Sequence, residues 1–186
     1  MLRIVRSAVV RISCMYASMK KPSMSRLTAN TKAEQGATHK QKPYLTQIMV
    51  HQEQIHISTN SHGDMHDLTD KVNSIVKKSG IKTGMAHIFN IGSTGAIGTI
   101  EFEPGLERDL PEILNKLIPP SREYGHEQMW NDGNGHSHLQ ATWLGPSLTV
   151  PVQDGTLELG TWQQIFHLEC DIKPRQRRIV VTIYGE

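Results

Sequence analysis

Cysteine is almost missing from this chain: its 186 residues contain two, Cys14 and Cys170. Two thiols can build neither a disulfide framework nor a zinc knuckle, so a reducing compartment is the default. Long apolar runs are missing too. No stretch approaches the ~18 consecutive apolar residues of a spanning helix, and the cleanest apolar segment, Ile179 to Tyr184, has the length of a strand. A helical membrane span is therefore not expected. Also absent are a Gly-x-Ser-x-Gly nucleophile elbow and the GxGxxG and GK[ST] phosphate loops. What is present is 37% apolar residues, too many for a wholly disordered chain and enough for one domain with a core plus an appendage.

Acids are missing from one end. Residues 1 to 43 hold nine Lys or Arg against the single acid Glu34, whereas residues 44 to 186 hold eleven basic against seventeen acidic residues. The folded part thus carries −6 and has no global reason to bind nucleic acid. Within the leader, Leu2, Ile4, Val5, Ala8, Val9 and Ile12 fall on one side of a helix, with Arg3, Arg6 and Arg11 opposite. That composition reads as a mitochondrial presequence directing the protein to the matrix. The competing reading is an upstream start before an internal one such as Met24, which leaves the protein cytoplasmic. The boundary is placed at Pro43/Tyr44, with residues 1–43 a disordered basic leader and 44–186 the domain.

In the domain, Tyr44 to Ser58 reads as one bent strand or two short ones. Asp64 is expected to cap an amphipathic helix built on Leu68, Val72, Ile75 and Val76 and closed by Gly80. Strands are expected at Met85–Ile91 and Ala96–Phe102. A second helix then carries Leu106, Leu110, Ile113, Leu114 and Leu117, with Pro111 in its first turn. Residues 121 to 137 read as a long irregular connection. The C-terminal third, with Asp154-Gly155 as a hairpin turn, reads as an antiparallel meander. Two main helices without a βαβ rhythm make the class α+β with antiparallel sheets.

Ten histidines matter through their spacing. The stretch from His126 to His138 places three imidazoles, Asp132 and Asn134 within a short segment. If extended, it would turn His136 and His138 the same way toward one divalent ion, whereas on a helix they would diverge by about 200°. Asp132 or Glu101 could add an oxygen ligand; the alternative is a solvated loop whose histidines cap turns. Glu101 and Glu103 flank Phe102 on one strand face, and Glu103 is assigned to the start of the following helix, Glu101 to function. Gly92-Ser93-Thr94-Gly95 could offer N–H groups and two hydroxyls to a phosphate. Arg175, Arg177 and Arg178 form the basic cluster of the folded part, serving either a diphosphate or a solvated sheet edge.

Taken together, residues 92 to 105, Tyr124-Gly125-His126, residues 132 to 138, Leu144 to Val152, Leu159 to Ile165 and the terminal Gly185-Glu186 resemble the YjbQ-like family. The resemblance covers about Tyr44 to Glu186. It implies a single α+β domain, a homotrimer, and an activity described as secondary thiamine-phosphate synthase, weak and joining a pyrimidine diphosphate to a thiazole phosphate. Carried over by position, it places a functional carboxylate at Glu101 and histidines at His126 and His138. Many members have His-Thr-Ser-Ala where this chain reads Gly92-Ser93-Thr94-Gly95, so one histidine is absent unless His136 replaces it. On this reading Glu101 and Asp132 are catalytic, and His126, His136 and His138 hold a divalent ion, Mg²⁺ or Zn²⁺. Ser93, Thr94 and Asn134 orient the phosphates of a small phosphorylated metabolite, and Arg178 offsets charge. The alternatives are a non-catalytic trimeric metal- or metabolite-binding protein and a metal-dependent hydrolase of a phosphorylated metabolite.

Overall fold

The computed structural model describes residues 48–186, so the leader expected at 1–43 lies outside the described residues. β1 (Met49–Thr59) runs as one strand. β2 (Met65–Asp67), α1 (Thr69–Ser79), β3 (Gly84–Ile91) and β4 (Gly95–Ile100) follow. Next come α2 (Pro104–Leu117), α3 (Gly125–Trp130) and α4 (Gly135–Leu144). β5 (Ser147–Gln153), β6 (Thr156–Leu157), β7 (Gln164–Glu169) and β8 (Arg175–Gly185) complete the chain. The class is α+β, with every strand pair antiparallel.

The strands form two sheets, β1-β8-β3-β5-β6 and β2-β7-β4. The C-terminal strands are therefore not one meander. β5 and β6 form the expected hairpin, with Asp154 at φ 52° and Gly155 at φ 75° supplying the two left-handed residues of its turn. β7, however, joins the smaller sheet, and β8 inserts between β1 and β3. The reason is visible in burial. β7 is covered on both faces, so its even residues Phe166 and Leu168 meet one core while Ile165 meets another.

The larger core lies on the inner face of the five-stranded sheet, where Ile55, Ile88, Val150, Ile179, Val181 and Ile183 meet α1 through Val72, Ile75 and Val76, and the smaller sheet through Ile97 and Ile165. Strand alternation sends these residues inward at every second position. The second core covers the far side of the smaller sheet: Ala96, Phe166, Leu168 and Cys170 pack with Leu114 of α2 and Ala141 of α4. Burial pushes the Cys170 thiol up to about 12, in keeping with an apolar filler.

Three local expectations change. Asp64 does not cap α1; it accepts the N–H of Asn60 at 2.8 Å, while Asp67 accepts the N–H of Thr69 at 2.8 Å and opens the helix. α2 starts at Pro104, opened by Glu103 as expected: its carboxylate accepts the N–H groups of Gly105 (2.7 Å) and Leu106 (2.6 Å). Pro111 therefore lies inside the helix, not in its first turn, and its ring abuts Gly63. Residues 121 to 137, expected to be irregular, contain α3 and the start of α4. Gly80, with φ 72°, closes α1 as expected.

Ile179 is fully buried in the larger core, whereas Ile113 on α2 is exposed. Ile179→Ala should cost about 2–5 kcal/mol, and Ile113→Ala should stay within about 0.5 kcal/mol. Urea denaturation of both variants checks this ordering, and equal losses would contradict the placement of the core.

Candidate functional site

At the polar end of the space between the sheets, Arg177 of β8 is buried and donates from Nε to Glu169 Oε2 at 2.6 Å and from Nη2 to Glu169 Oε1. Nη2 also donates to the Thr94 hydroxyl at 2.9 Å and to the Thr94 carbonyl at 3.2 Å, and Thr94 Oγ1 donates to Asp171 Oδ2 at 3.0 Å. Thr59 Oγ1 donates to Glu169 Oε2 at 2.7 Å. Burial pushes the Asp171 carboxyl up, but Arg175, the Lys173 N–H and Thr94 more than offset this and hold it below the usual carboxylate range. The Gly92–Gly95 loop is thus tied down from beneath. Thr94, expected to orient a phosphate, has its hydroxyl committed inside the fold. Ser93 is exposed and lines a cleft of about 350 Å³ with Phe89, Asn90, Ala141 and Thr142.

Arg178 leaves β8 on the opposite face from Arg177, exposed and in register with His56 and Ile91. It lies on the face opposite Arg177 and Thr94, away from the phosphates whose charge it was expected to offset. Gly92 has φ 144°, and a Cβ there would stand 2.8 Å from Arg177 Nη1. The histidine that the resemblance would place at this position cannot enter this backbone without displacing the arginine.

Beside this network, Asn90 fixes a buried histidine. Its Nδ2 donates to the carbonyls of Gly92 and Gly95, both at 3.1 Å. Its Oδ1 is therefore the acceptor facing His167 Nε2 at 3.2 Å, which assigns the proton to Nε2 and leaves Nδ1 buried without a partner. Burial, aided by Arg177 and His66, lowers His167 to about 3.

The expected histidine cluster lies at α3 and α4. Because Gly135–Leu144 is helical, His136 and His138 diverge instead of facing one ion. His138 meets His126, with ring centroids 4.7 Å apart. His136 turns inward, 2% exposed, and faces His62 of the β1–β2 loop at 5.8 Å. Asp132 Oδ1 stands 3.3 Å from His126 Nε2, but not aligned as a hydrogen bond, so that nitrogen is buried without a partner. Glu101 is exposed just beyond β4. Among the described residues, no three His, Cys, Asp or Glu side chains converge to hold a metal ion. The expected set of Glu101, Asp132, His126, His136 and His138 therefore does not form one centre within this chain.

Glu127 holds α3 and α4 together. Asn131 (φ 48°) and Gly133 (φ 82°) turn the chain back, so that the Glu127 carboxylate accepts from the N–H groups of Gly133 at 2.8 Å and Gly135 at 3.1 Å and from Arg122 Nη1 at 3.2 Å. Burial pushes this carboxyl up, but the two N–H donors and Arg122 hold it below the usual range. Asn134, at the head of α4, and Ser137 in its first turn are both buried. Asn134 Oδ1, Ser137 Oγ and His136 Nδ1 have no hydrogen-bond partner. Burial, with His62 beside it, lowers His136 below its ordinary value.

Sequence reasoning missed His62, Gln140, Glu127, Asn90, His167 and the Glu169–Arg177 pair. The one available signal was strand alternation, which separates Arg177 from Arg178. The rest required the sheet pairing and the α3–α4 turn.

Two antiparallel sheets, α1 in the larger core, α2 and α4 over the smaller sheet and a histidine-rich helical turn define the class of this domain. The family model described as UPF0047 protein YjbQ-like matches residues 53–186, and the chain belongs to that family. A UPF0047 protein of Methanothermobacter thermautotrophicus is 39% identical over 137 residues, covering 74% of this chain and 94% of that protein. The UPF0047 protein YjbQ of Salmonella typhimurium is 32% identical, covering 74% of this chain and 100% of that protein. Among solved structures, a YbjQ-like protein of unknown function from Sulfolobus solfataricus P2 is 41% identical with a TM-score of 0.71, covering 75% of this chain and 100% of that one. A hypothetical protein from Aeropyrum pernix K1 is 31% identical with a TM-score of 0.67, covering 73% and 99%.

A histidine whose folded value lies far below its unfolded one contributes stability at neutral pH that is lost as pH falls, because the unfolded chain takes up the proton first. For His167 that window runs from about 6.5 down to about 3, with a slope of up to about 1.4 kcal/mol per pH unit. The lowered carboxylates Asp171 and Glu127 act in the same direction at the acid end. Urea unfolding between pH 7 and 4 should show this loss, and His167→Gln, which keeps a donor toward Asn90, should flatten it by close to one proton. An unchanged slope in His167→Gln would contradict the neutral buried imidazole.

Proposed function

We propose that the domain is a small-metabolite protein whose ligand site is the α3–α4 segment, and that its chemistry is group transfer of the thiamine-phosphate synthase type. One observation carries the site. Of the five buried side-chain atoms without hydrogen-bond partners among the described residues, four lie between positions 126 and 137: His126 Nε2, Asn134 Oδ1, His136 Nδ1 and Ser137 Oγ. Each such atom costs about 1–3 kcal/mol if left unpaired, and proteins rarely concentrate that cost except where a ligand offsets it. The adjacent His126–His138 pair, with Asp132 beside it, can donate or accept hydrogen bonds as the ligand's charge changes.

In the transfer reaction, the bond from the pyrimidine carbon to a diphosphate oxygen breaks as the thiazole nitrogen bonds to that carbon. The diphosphate leaves with the electron pair. Ser93 and Asn134 would orient phosphate groups. No metal step is routed through the full set of Glu101, Asp132, His126, His136 and His138, because among the described residues these donors do not converge on one ion.

A second reading, non-catalytic metabolite binding, is favoured by the arginines. Arg175 and Arg177 are engaged with Asp171 and Glu169, and Arg178 sits on the other face. A diphosphate leaving group thus finds few free cations here. For assembly we propose a homotrimer. The outer face of the five-stranded sheet exposes Val50, Met85, Phe89, Ile91 and Tyr184, which suits contact with copies of the same chain. For localisation we propose mitochondrial import, on a leader with nine basic residues and one acid.

Incubating the purified protein with the pyrimidine diphosphate and thiazole phosphate should yield thiamine phosphate, and His138→Ala should lower the rate by ~10²-fold or more. Equal rates in the two proteins would remove His138 from the chemistry. If no product forms but thiamine phosphate binds to wild type and not to Ser137→Ala, the binding reading replaces the transferase. Light scattering at micromolar concentration should give a mass near three chains, and a monomer would exclude the trimer.

A further inference from the structure

We infer that His62 and His136 form a two-imidazole site for a late first-row divalent cation, with Zn²⁺ the type ion, bound through the Nδ1 atoms of both rings. The inference rests on reading the α3–α4 segment as a ligand site, and it adds a residue, His62, that the sequence did not single out.

The tautomer of His62 follows from its neighbour. Gln140 is fully buried, and its Nε2 donates to Asn115 Oδ1 at 3.1 Å and to the Ile118 carbonyl at 2.9 Å. Its Oε1 is therefore the acceptor that meets His62 Nε2 at 2.8 Å, so the proton sits on Nε2 and the Nδ1 lone pair is free. A ring N–H held by a carbonyl-type oxygen, with the other nitrogen free, is how metal-ligating histidines are oriented.

His136 supplies the second donor. Its Nδ1 is buried with no partner. With Zn–N distances of about 2.0–2.1 Å, two imidazoles on one ion place their ring centres roughly 5 to 6 Å apart, and these lie 5.8 Å apart. His62 is only half-buried, which leaves an entry path. No third His, Cys, Asp or Glu joins the pair among the described residues, so the remaining coordination positions are open to water or a ligand. The His126–His138 pair lacks this preparation. Asp132 Oδ1 lies 3.3 Å from His126 Nε2, and neither ring has a nitrogen held by a carbonyl oxygen among the described residues.

The test is a titration of the full-length protein with Zn²⁺ alone, followed by calorimetry and by long-range nitrogen–proton spectra of the imidazoles. One equivalent should shift the Nδ1 signals of His62 and His136 together. His62→Ala and His62→Gln should each weaken binding at least tenfold and leave the His136 signal in place, while His87→Ala, on the outer sheet face, should change nothing. The proposal is overturned if wild type takes up no Zn²⁺, if both His62 variants bind as tightly as wild type, or if only His126 and His138 respond. Because the probe is the ion alone, any of these results leaves the transferase assay standing, and a failed transferase assay leaves this site standing.

Discussion

The bidentate contact between Arg177 and Glu169 is the joint on which this domain turns. The arginine belongs to the five-stranded sheet and the glutamate to the three-stranded one, so the pair ties two layers that otherwise meet through aliphatic side chains. Burying two charges is costly, and such a pair does not guarantee net stability. What it supplies is specificity. A slip of β7 by one residue would put Glu169 on the opposite face, toward Leu114 and Ala141, leaving an arginine buried and uncompensated. The same guanidinium holds the Thr94 carbonyl and hydroxyl, so sheet register and the shape of the glycine loop are set together.

That coupling explains why the fold was more legible than the site. Element types follow from short-range patterns: the alternation of β8, the apolar spacing of α1, the Asp154-Gly155 turn, the Glu103-Pro104 helix start. Those patterns are written in neighbouring residues and were read correctly. Which strand pairs with which is a matter of contacts more than a hundred positions apart, such as Thr59 with Glu169. The sequential strands β5 to β8 were thus taken as neighbours when two of them belong elsewhere. Asn90, His167 and Glu169 looked like ordinary strand residues because the layer that buries them was not visible.

The histidines show the same limit at shorter range. His136-Ser137-His138 has a spacing of two, and its meaning depends on backbone geometry alone: convergent if extended, divergent if helical. The sequence around it, rich in Gly, Asn and Asp, favours turns, and nothing local marks a helix. The helix exists because Glu127, delivered by the left-handed turn at Asn131 and Gly133, accepts the Gly135 N–H, satisfying one of the orphan donors at its start.

Helicity divides the cluster into two dissimilar halves. His126 and His138 remain partly open beside Asp132, where they can exchange hydrogen bonds with a bound molecule. His136 is carried inward to His62, whose tautomer is set by Gln140 from the same helix. Since His136, His138 and Gln140 all ride on α4, any displacement of that helix moves both halves. The helix is itself positioned by Ala141 in the second core and by the Gln140 bonds to the end of α2. The geometry of the histidines is therefore a property of core packing rather than of a loop, which is the condition under which side chains can be held ready for a ligand instead of being ordered by it.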